Sequence, residues 1–200
     1  MTSKGDLTRQ NIIEKSMDLF SVRGFFNTSI ADIVQATGLT KGGLYGHFRN
    51  KEEVWYAVYE ECVRIWKSIV FDGVAAIADP LERIDRVMEN SLKHYLGGGV
   101  FEGGCFLLNS LVDLAGVAPT MSNHVLAGFT GFAKLLRRWL EEAADQGLLK
   151  EGLNLREVAN FMVISVNGAA PLYAASKDPA VWRQTLSQLR FYLNSLRNRG

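Results

Sequence analysis

Apolar positions recur at intervals of three and four along almost the whole chain, the spacing that gathers them on one face of an α-helix. A first helix is predicted from about Leu7 to Val22, with Ile12, Ile13, Met17, Leu19 and Phe20 as its apolar face and Arg23-Gly24 as its stop. A short second helix covers about residues 30–37, with Ser29 as N-cap, Asp32 at capping-box distance and Gly38 just past its end. A third covers about residues 41–48, capped by Thr40. The fourth begins at Asn50, with Glu53 three residues on. Its stripe Val54, Val58, Cys62, Ile65, Ile69 predicts about 28 residues, roughly 42 Å of helix. Asp79-Pro80 and Asp178-Pro179 each set a capping carboxylate before a proline at the first helical position, so each opens a helix. The first of these runs to Gly97-Gly98-Gly99 and the second to about Arg197. Between them lie a short helix at about residues 104–115, one from Pro119 to Gly147, and one capped by Asn154 that runs to about Ser176. The pattern is that of an all-α chain of nine helices, without a strand or an internal repeat.

Composition removes several classes. With 200 residues, 48% of them hydrophobic and 22% charged, the chain has the make-up of an ordinary globular protein and can bury a sizeable core. No apolar run approaches the roughly 18 residues that span a bilayer. No apolar stretch follows the first lysine, so no secretory signal is indicated, and a cytoplasmic protein with no membrane partner is expected. Cys62 and Cys105 lack C-x-x-C spacing, and His47, His94 and His124 are not paired at ligand distance. Neither a metal site nor a cofactor is expected. There is no G-x-S-x-G, no H-E-x-x-H and no phosphate loop, which argues against an enzyme.

A net charge of +1 speaks against a nucleic-acid partner until it is resolved along the chain. Residues 1–51 carry seven Lys/Arg against four Asp/Glu, whereas residues 52–200 carry fifteen against seventeen. The basic surplus is local, and a polyanion responds to the local footprint.

That basic segment holds two short helices joined by Gly38-Leu39-Thr40, the spacing of a helix-turn-helix. Ile33, Val34, Leu39 and Leu44 can bury against Ile13, Phe20 and Phe25, leaving Lys41, Tyr45 and Arg49 to face outward. The flanking residues add detail: Gly24-Phe25-Phe26-Asn27-Thr28-Ser29 before the second helix, Leu44-Tyr45-Gly46-His47-Phe48 in the third, and Asn50-Lys51-Glu52 at the start of the fourth. Over about residues 7–55 the chain resembles the N-terminal domain of TetR/AcrR-family transcriptional regulators. The remainder matches only that family's general pattern of a linker helix and a helical effector domain. The resemblance implies a helix-turn-helix DNA-binding domain at residues 1–51 and a ligand-binding and dimerisation domain at 52–200, with a long linker helix from about residue 50. The product would be a homodimeric repressor, released from a pseudo-palindromic double-stranded DNA operator by a small-molecule effector.

Residue types suit the role. Thr28 and Ser29 can offer hydroxyls and helix N-terminal N–H groups to a phosphate, and Thr40 can do the same at the third helix. Lys41 can reach a guanine edge or a phosphate. Tyr45 resembles the family tyrosine that touches backbone and thymine methyls, and His47 and Lys51 match positions that clamp the opposite strand. Singly, Tyr45 reads equally as a surface aromatic, His47 as a solvated helix end and Lys51 as an i,i+4 partner; the matched set favours DNA. Gly42, Gly43 and Gly46 are unusual in a recognition helix, since interior glycines cost up to about 1 kcal/mol each relative to Ala. They suggest close approach of the backbone to the groove.

In the effector half most aromatics fit a plain core. The resemblance implies that some line a cavity, with Trp66, His94, Phe101, Cys105, Phe106, Asn109, Asp113, Phe129, Phe132, Phe161 and Asn167 as candidates. Cys105 follows Gly103-Gly104 at a helix start. That placement allows either a reactive thiol or a small buried hydrophobe. The last two helices are apolar on two sides and therefore need two partners. Phe161, Gly168, Ala169, Trp182, Thr185, Leu189, Tyr192 and Leu196 are the expected dimer contacts. The alternative from another class is a helical small-molecule-binding protein or enzyme without DNA binding.

Overall fold

The computed structural model describes residues 3–101 and 103–198. Among these, nine α-helices follow one another without a named strand, so the all-α expectation holds. Helix α1 (Lys4–Arg23) starts earlier than the hydrophobic stripe suggests. Ser3 and Asp6 form a reciprocal capping box, the Asp6 N–H donating to Ser3 Oγ at 3.1 Å and the Ser3 N–H to Asp6 Oδ2 at 3.0 Å. Helix α2 (Ile30–Thr37) repeats the device with Ser29 and Asp32, and ends at Gly38 in the left-handed conformation. Helix α3 is confined to Lys41–Tyr45, shorter than predicted: Gly46 closes it and the chain turns before Phe48.

Helix α4 (Lys51–Val70) is also shorter than its stripe implies. Asn50 caps it, accepting the Glu53 N–H at 2.8 Å, while Glu53 reaches back to the Arg49 N–H at 2.8 Å. Its far end is closed from outside the helix. Asn90 Nδ2 donates to the carbonyls of Val70 and Asp72, each at 3.0 Å, and Gly73 then turns the chain through a left-handed conformation into a single 3-10 turn. A buried side-chain amide thus takes up carbonyl groups that the continuing helix would have used, which apolar spacing alone does not reveal. Helix α5 (Pro80–Glu89) widens into a π-helical segment at Asn90–Leu96, followed by α6 (Phe106–Leu114), α7 (Pro119–Asp145), α8 (Leu155–Ser176) and α9 (Pro179–Leu196).

The chain divides into two compact units. The first comprises Met1–Ile65 with Phe101–Ser122, so α6 joins the three N-terminal helices and most of α4. Its core is Ile12, Ile13, Phe20, Phe25, Ile33, Leu44, Phe48, Val54 and Trp55, all buried. The second comprises Trp66–Val100 with Asn123–Gly200 and is built on Leu81, Ile84, Leu92, Leu136, Leu140 and Met162. Two ion-pair groups tie its helices. Arg83 of α5 meets Glu142 of α7 in a fork at 2.8 and 3.1 Å, and Arg190 of α9 meets Asp85 and Glu89 of α5 at 2.7 to 2.9 Å. By length and composition α8 is apolar enough to cross a membrane, more so than the sequence reading allowed, and only a third of that stretch is buried within the chain.

Candidate nucleic-acid interface

The short α3 displays its side chains on two faces. Leu44 is fully buried, while Lys41 and Tyr45, one turn apart, are exposed on the other side. Thr40 Oγ1 accepts the Gly43 N–H at 3.1 Å, so this hydroxyl holds the helix start. Gly42 and Gly46 are exposed, and Gly43 and His47 are half-buried. Two basic side chains outside the expected set stand close by in sequence or packing. Arg49 has a side chain 89% exposed and pairs with Glu53 only at 3.6 Å, and the Arg9 guanidinium lies 4.9 Å from the Phe48 ring centroid. Arg49 was legible as outward-facing; Arg9 was not, because its neighbour Phe48 lies far along the chain, between α3 and α4.

Two expected phosphate ligands are otherwise engaged. Thr28 is fully buried and donates its hydroxyl to the Gly24 carbonyl at 2.8 Å. Lys51 is half-buried and its Nζ donates to the carbonyls of Phe25 at 2.8 Å and Thr28 at 2.9 Å. Burial holds its ammonium below the ordinary lysine pKa, opposed by the neighbouring Asp113 and Glu52 carboxylates. Ser29 is exposed, but its hydroxyl is committed to Asp32 in the α2 cap. Hydrogen bonds from Ser29 hold the Asp32 carboxyl below its usual value, and Arg23 pairs with it at 3.3 Å.

The candidate cavity residues fall into both units. In the first, Cys105 and Phe106 are buried, and Phe101 lies 6.1 Å from Phe106 in a tilted ring pair. Of the two polar candidates here, Asn109 donates its amide to the Gly103 carbonyl at 2.7 Å, and Asp113 accepts the Phe25 N–H at 2.7 Å. In the second unit Trp66, Phe71 and Phe132 form a cluster of edge-to-face rings 5.1 to 6.3 Å apart, with Phe129 half-buried. His94 is exposed, Asn167 bonds back to the Val163 carbonyl at 2.8 Å, and Phe161 is exposed against Tyr192 at 5.0 Å. Both thiols are buried, and burial pushes the Cys62 thiol far above its usual range, helped by Cys105 and Glu61 nearby.

The expected dimer contacts also sort differently. Ala169, Leu189 and Leu196 are buried within the chain's own second unit, whereas Trp182 is half-buried and lies beside Gly97. Thr185 is half-buried and bonds to Val181, and Tyr192 is half-buried beside Phe161. The exposed apolar residues missed from sequence are Ile164 (68%), Leu172 (63%) and Phe191 (71%). Phe161, Ile164, Gly168 and Leu172 follow a 3-4-4 spacing and form one stripe on α8. An all-round apolar helix conceals which of its stripes is the free one.

Comparison with known proteins bears on the whole chain. Residues 12–58 match the model for bacterial regulatory proteins of the tetR family, and residues 80–189 match the tetracyclin repressor-like C-terminal domain. The transcriptional repressor DhaR of Mycobacterium sp. (strain GP1) is 25% identical over 165 residues, covering 80% of this chain and 79% of that one. The crystal structure of a TetR-family transcriptional regulator from Cytophaga hutchinsonii superposes with a TM-score of 0.87 at 27% identity over the full length of both chains. The regulator AibR, solved in complex with isovaleryl coenzyme A and operator DNA, has a TM-score of 0.69 at 22% identity over 94% of this chain and 97% of that one.

Proposed function

The chain belongs to the TetR family of bacterial regulatory proteins, DNA-binding regulators of transcription, and on that premise we propose how its own residues divide the work. It is a repressor that acts as a homodimer, each copy placing α3 in one major-groove half-site of a pseudo-palindrome. Lys41 reaches a guanine edge or a phosphate, and Tyr45 covers a thymine methyl and the adjacent backbone. Gly42 and Gly43 let the backbone approach, Thr40 offers a phosphate site at the start of α3, and His47 holds the opposite strand. The observation that carries this reading is the two-faced α3, with Leu44 sealed into the core and Lys41 and Tyr45 presented together outside it.

A second copy is the occupant proposed for the α8 stripe of Phe161, Ile164, Gly168 and Leu172, with Phe191 and Tyr192 of α9 beside it. The pair would form a two-fold four-helix interface. The effector lodges among the aromatic side chains of the second unit. Trp66 lies in the last turns of α4, and the same continuous helix carries Val54 and Trp55 into the core of the first unit. Repacking around Trp66 therefore acts on a helix that also belongs to the DNA-binding unit, shifting the population away from the operator-competent state. DhaR is a transcriptional repressor by name, and AibR was solved with both isovaleryl coenzyme A and operator DNA; both support this reading.

The test is selection of duplexes from random-sequence DNA by the purified protein, followed by Lys41→Ala and Tyr45→Ala. Each substitution is expected to weaken binding to the selected duplex by about tenfold while leaving the dimer intact. A wild-type protein that enriches no duplex refutes the proposal.

A further inference from the structure

Two residues expected on opposite tasks, Asp113 at a ligand and Lys51 on a phosphate, meet instead at the connection between α1 and α2. The Phe25 N–H donates to Asp113 Oδ2 at 2.7 Å, and the Phe25 carbonyl accepts from Lys51 Nζ at 2.8 Å. The residue is thus held at both its polar groups by charged side chains from α6 and α4. Lys51 also bonds the Thr28 carbonyl at 2.9 Å and sits 4.1 Å from the Phe25 ring centroid. Two of its three N–H donors are spent on backbone.

The approach of α6 here is close. Gly24 has φ +77°, and a Cβ on it would stand 2.9 Å from Asp113 Oδ2, so only glycine admits the carboxylate. One turn earlier on α6, Asn109 donates to the Gly103 carbonyl at 2.7 Å. Gly103 in turn lies against the Ser21 carbonyl with no room for a side chain. Helix α6 therefore grips the end of α1 at two points, Ser21 and Gly24-Phe25. Ser29 caps α2 only four residues beyond Phe25, so the path of this connection sets where α2, and α3 after it, project from α1.

We infer that Asp113 is a positioning residue for DNA binding, a carboxylate on α6 that fixes the α1–α2 connection and so the presentation of α3. The inference rests on the DNA-binding reading above and adds its regulation. Any movement of α6 along α1 must either break the Phe25 hydrogen bond or drag the connection with it. Lys51 belongs to the same joint and acts on DNA through it.

The experiment uses the full chain and the duplex that the wild-type protein selects, beside a scrambled duplex of equal length. Asp113→Ala is expected to lose about tenfold in affinity for the selected duplex, the cost of leaving a half-buried N–H unpaired, and to bind the scrambled duplex unchanged. A merely structural defect lowers both affinities together. Asp113→Asn keeps an acceptor oxygen and is expected to stay within about threefold of wild type. Lys51→Met is expected to weaken selected-duplex binding with the salt slope intact, whereas removing a phosphate contact lowers the slope by about 0.9 per chain. Amide exchange on the wild-type protein provides a readout that no variant can spoil: Phe25 N–H is expected to exchange slowly although it lies between helices. Wild-type affinity in Asp113→Ala, a lowered slope in Lys51→Met, or fast exchange at Phe25 each overturns the inference. A wild-type protein that selects no duplex overturns the DNA reading beneath it.

Discussion

Removing the cap of α3 tests whether operator affinity is limited by the order of that helix. The helix is five residues long, two of its residues are Gly42 and Gly43, and it closes on Gly46. Interior glycines cost up to about 1 kcal/mol each relative to Ala, so little intrinsic propensity holds it. What does hold it is the burial of Leu44, which contributes on the order of 2 kcal/mol, and the Thr40 hydroxyl on the Gly43 N–H at 3.1 Å. Thr40→Ala removes the second contribution, about 1 kcal/mol. If the unravelled helix must re-form on DNA, affinity for the selected duplex falls about fivefold. Gly46→Ala pushes the other way. Gly46 has φ −68° and ψ −17°, ordinary helical values, and a Cβ there would meet the Gly43 carbonyl at 3.5 Å, an unstrained contact. The substitution is expected to return 0.5–1 kcal/mol of helix stability, so the double variant Thr40→Ala/Gly46→Ala should bind nearly as well as wild type. Fluorescence anisotropy at fixed salt, with a thermal melt of each variant, measures both effects. Weaker binding by Gly46→Ala alone would refute the reasoning and favour close approach of a bare glycine backbone to the groove.

Three further outcomes follow from the packing. Ile164→Glu or Phe191→Glu places a charge on the exposed stripes of α8 and α9 and is expected to yield a folded monomer in sedimentation velocity; an undiminished dimer would move the interface elsewhere. Cys62 and Cys105 are buried, so neither is expected to react with Ellman's reagent until the chain unfolds, and rapid labelling of Cys105 in the native protein would revive a sensor role. Arg190→Ala removes the partner of Asp85 and Glu89 and is expected to cost under about 1 kcal/mol, because the group is partly exposed. Burial raises the Glu89 pKa, but hydrogen bonds from Lys93 and Arg190 outweigh it and hold the carboxyl below its ordinary 4.5. Its contribution is therefore present above that value and lost as pH falls below it, and the acid limb of the wild-type melting curve should flatten in Arg190→Ala.

Most of the cap and stop signals read from sequence carried over, although Gly46 closes α3 earlier than expected and the Ser3–Asp6 cap of α1 was missed. Asp79-Pro80, Asp178-Pro179, Ser29-Asp32 and Gly38 act within four residues of themselves, and each stands where its chemistry predicts. Other features are set from far along the chain. The end of α4 is set by Asn90, twenty residues beyond Val70, and the role of Asp113 by Phe25, eighty-eight residues before it. Thr28 was expected at DNA on residue type and Lys51 on the family resemblance. Their hydroxyl and ammonium prove to be absorbed by backbone carbonyls that the folded connection brings within reach. Polar side chains at a sharp turn serve the turn's own unpaired groups first. The free face of α8 and α9 is hidden for a related reason: both helices are apolar on more than one side, and only packing distinguishes Leu189, buried, from Phe191, 71% exposed two residues later.

The central claim, that the basic N-terminal segment (residues 1–51) holds a duplex through α3, is tested most directly by the salt dependence of wild-type binding to its selected duplex. The account predicts that log K falls linearly with log salt, with a slope of roughly −0.9 per phosphate contacted and several contacts per dimer. A slope near zero, or no complex even at low salt, would contradict it.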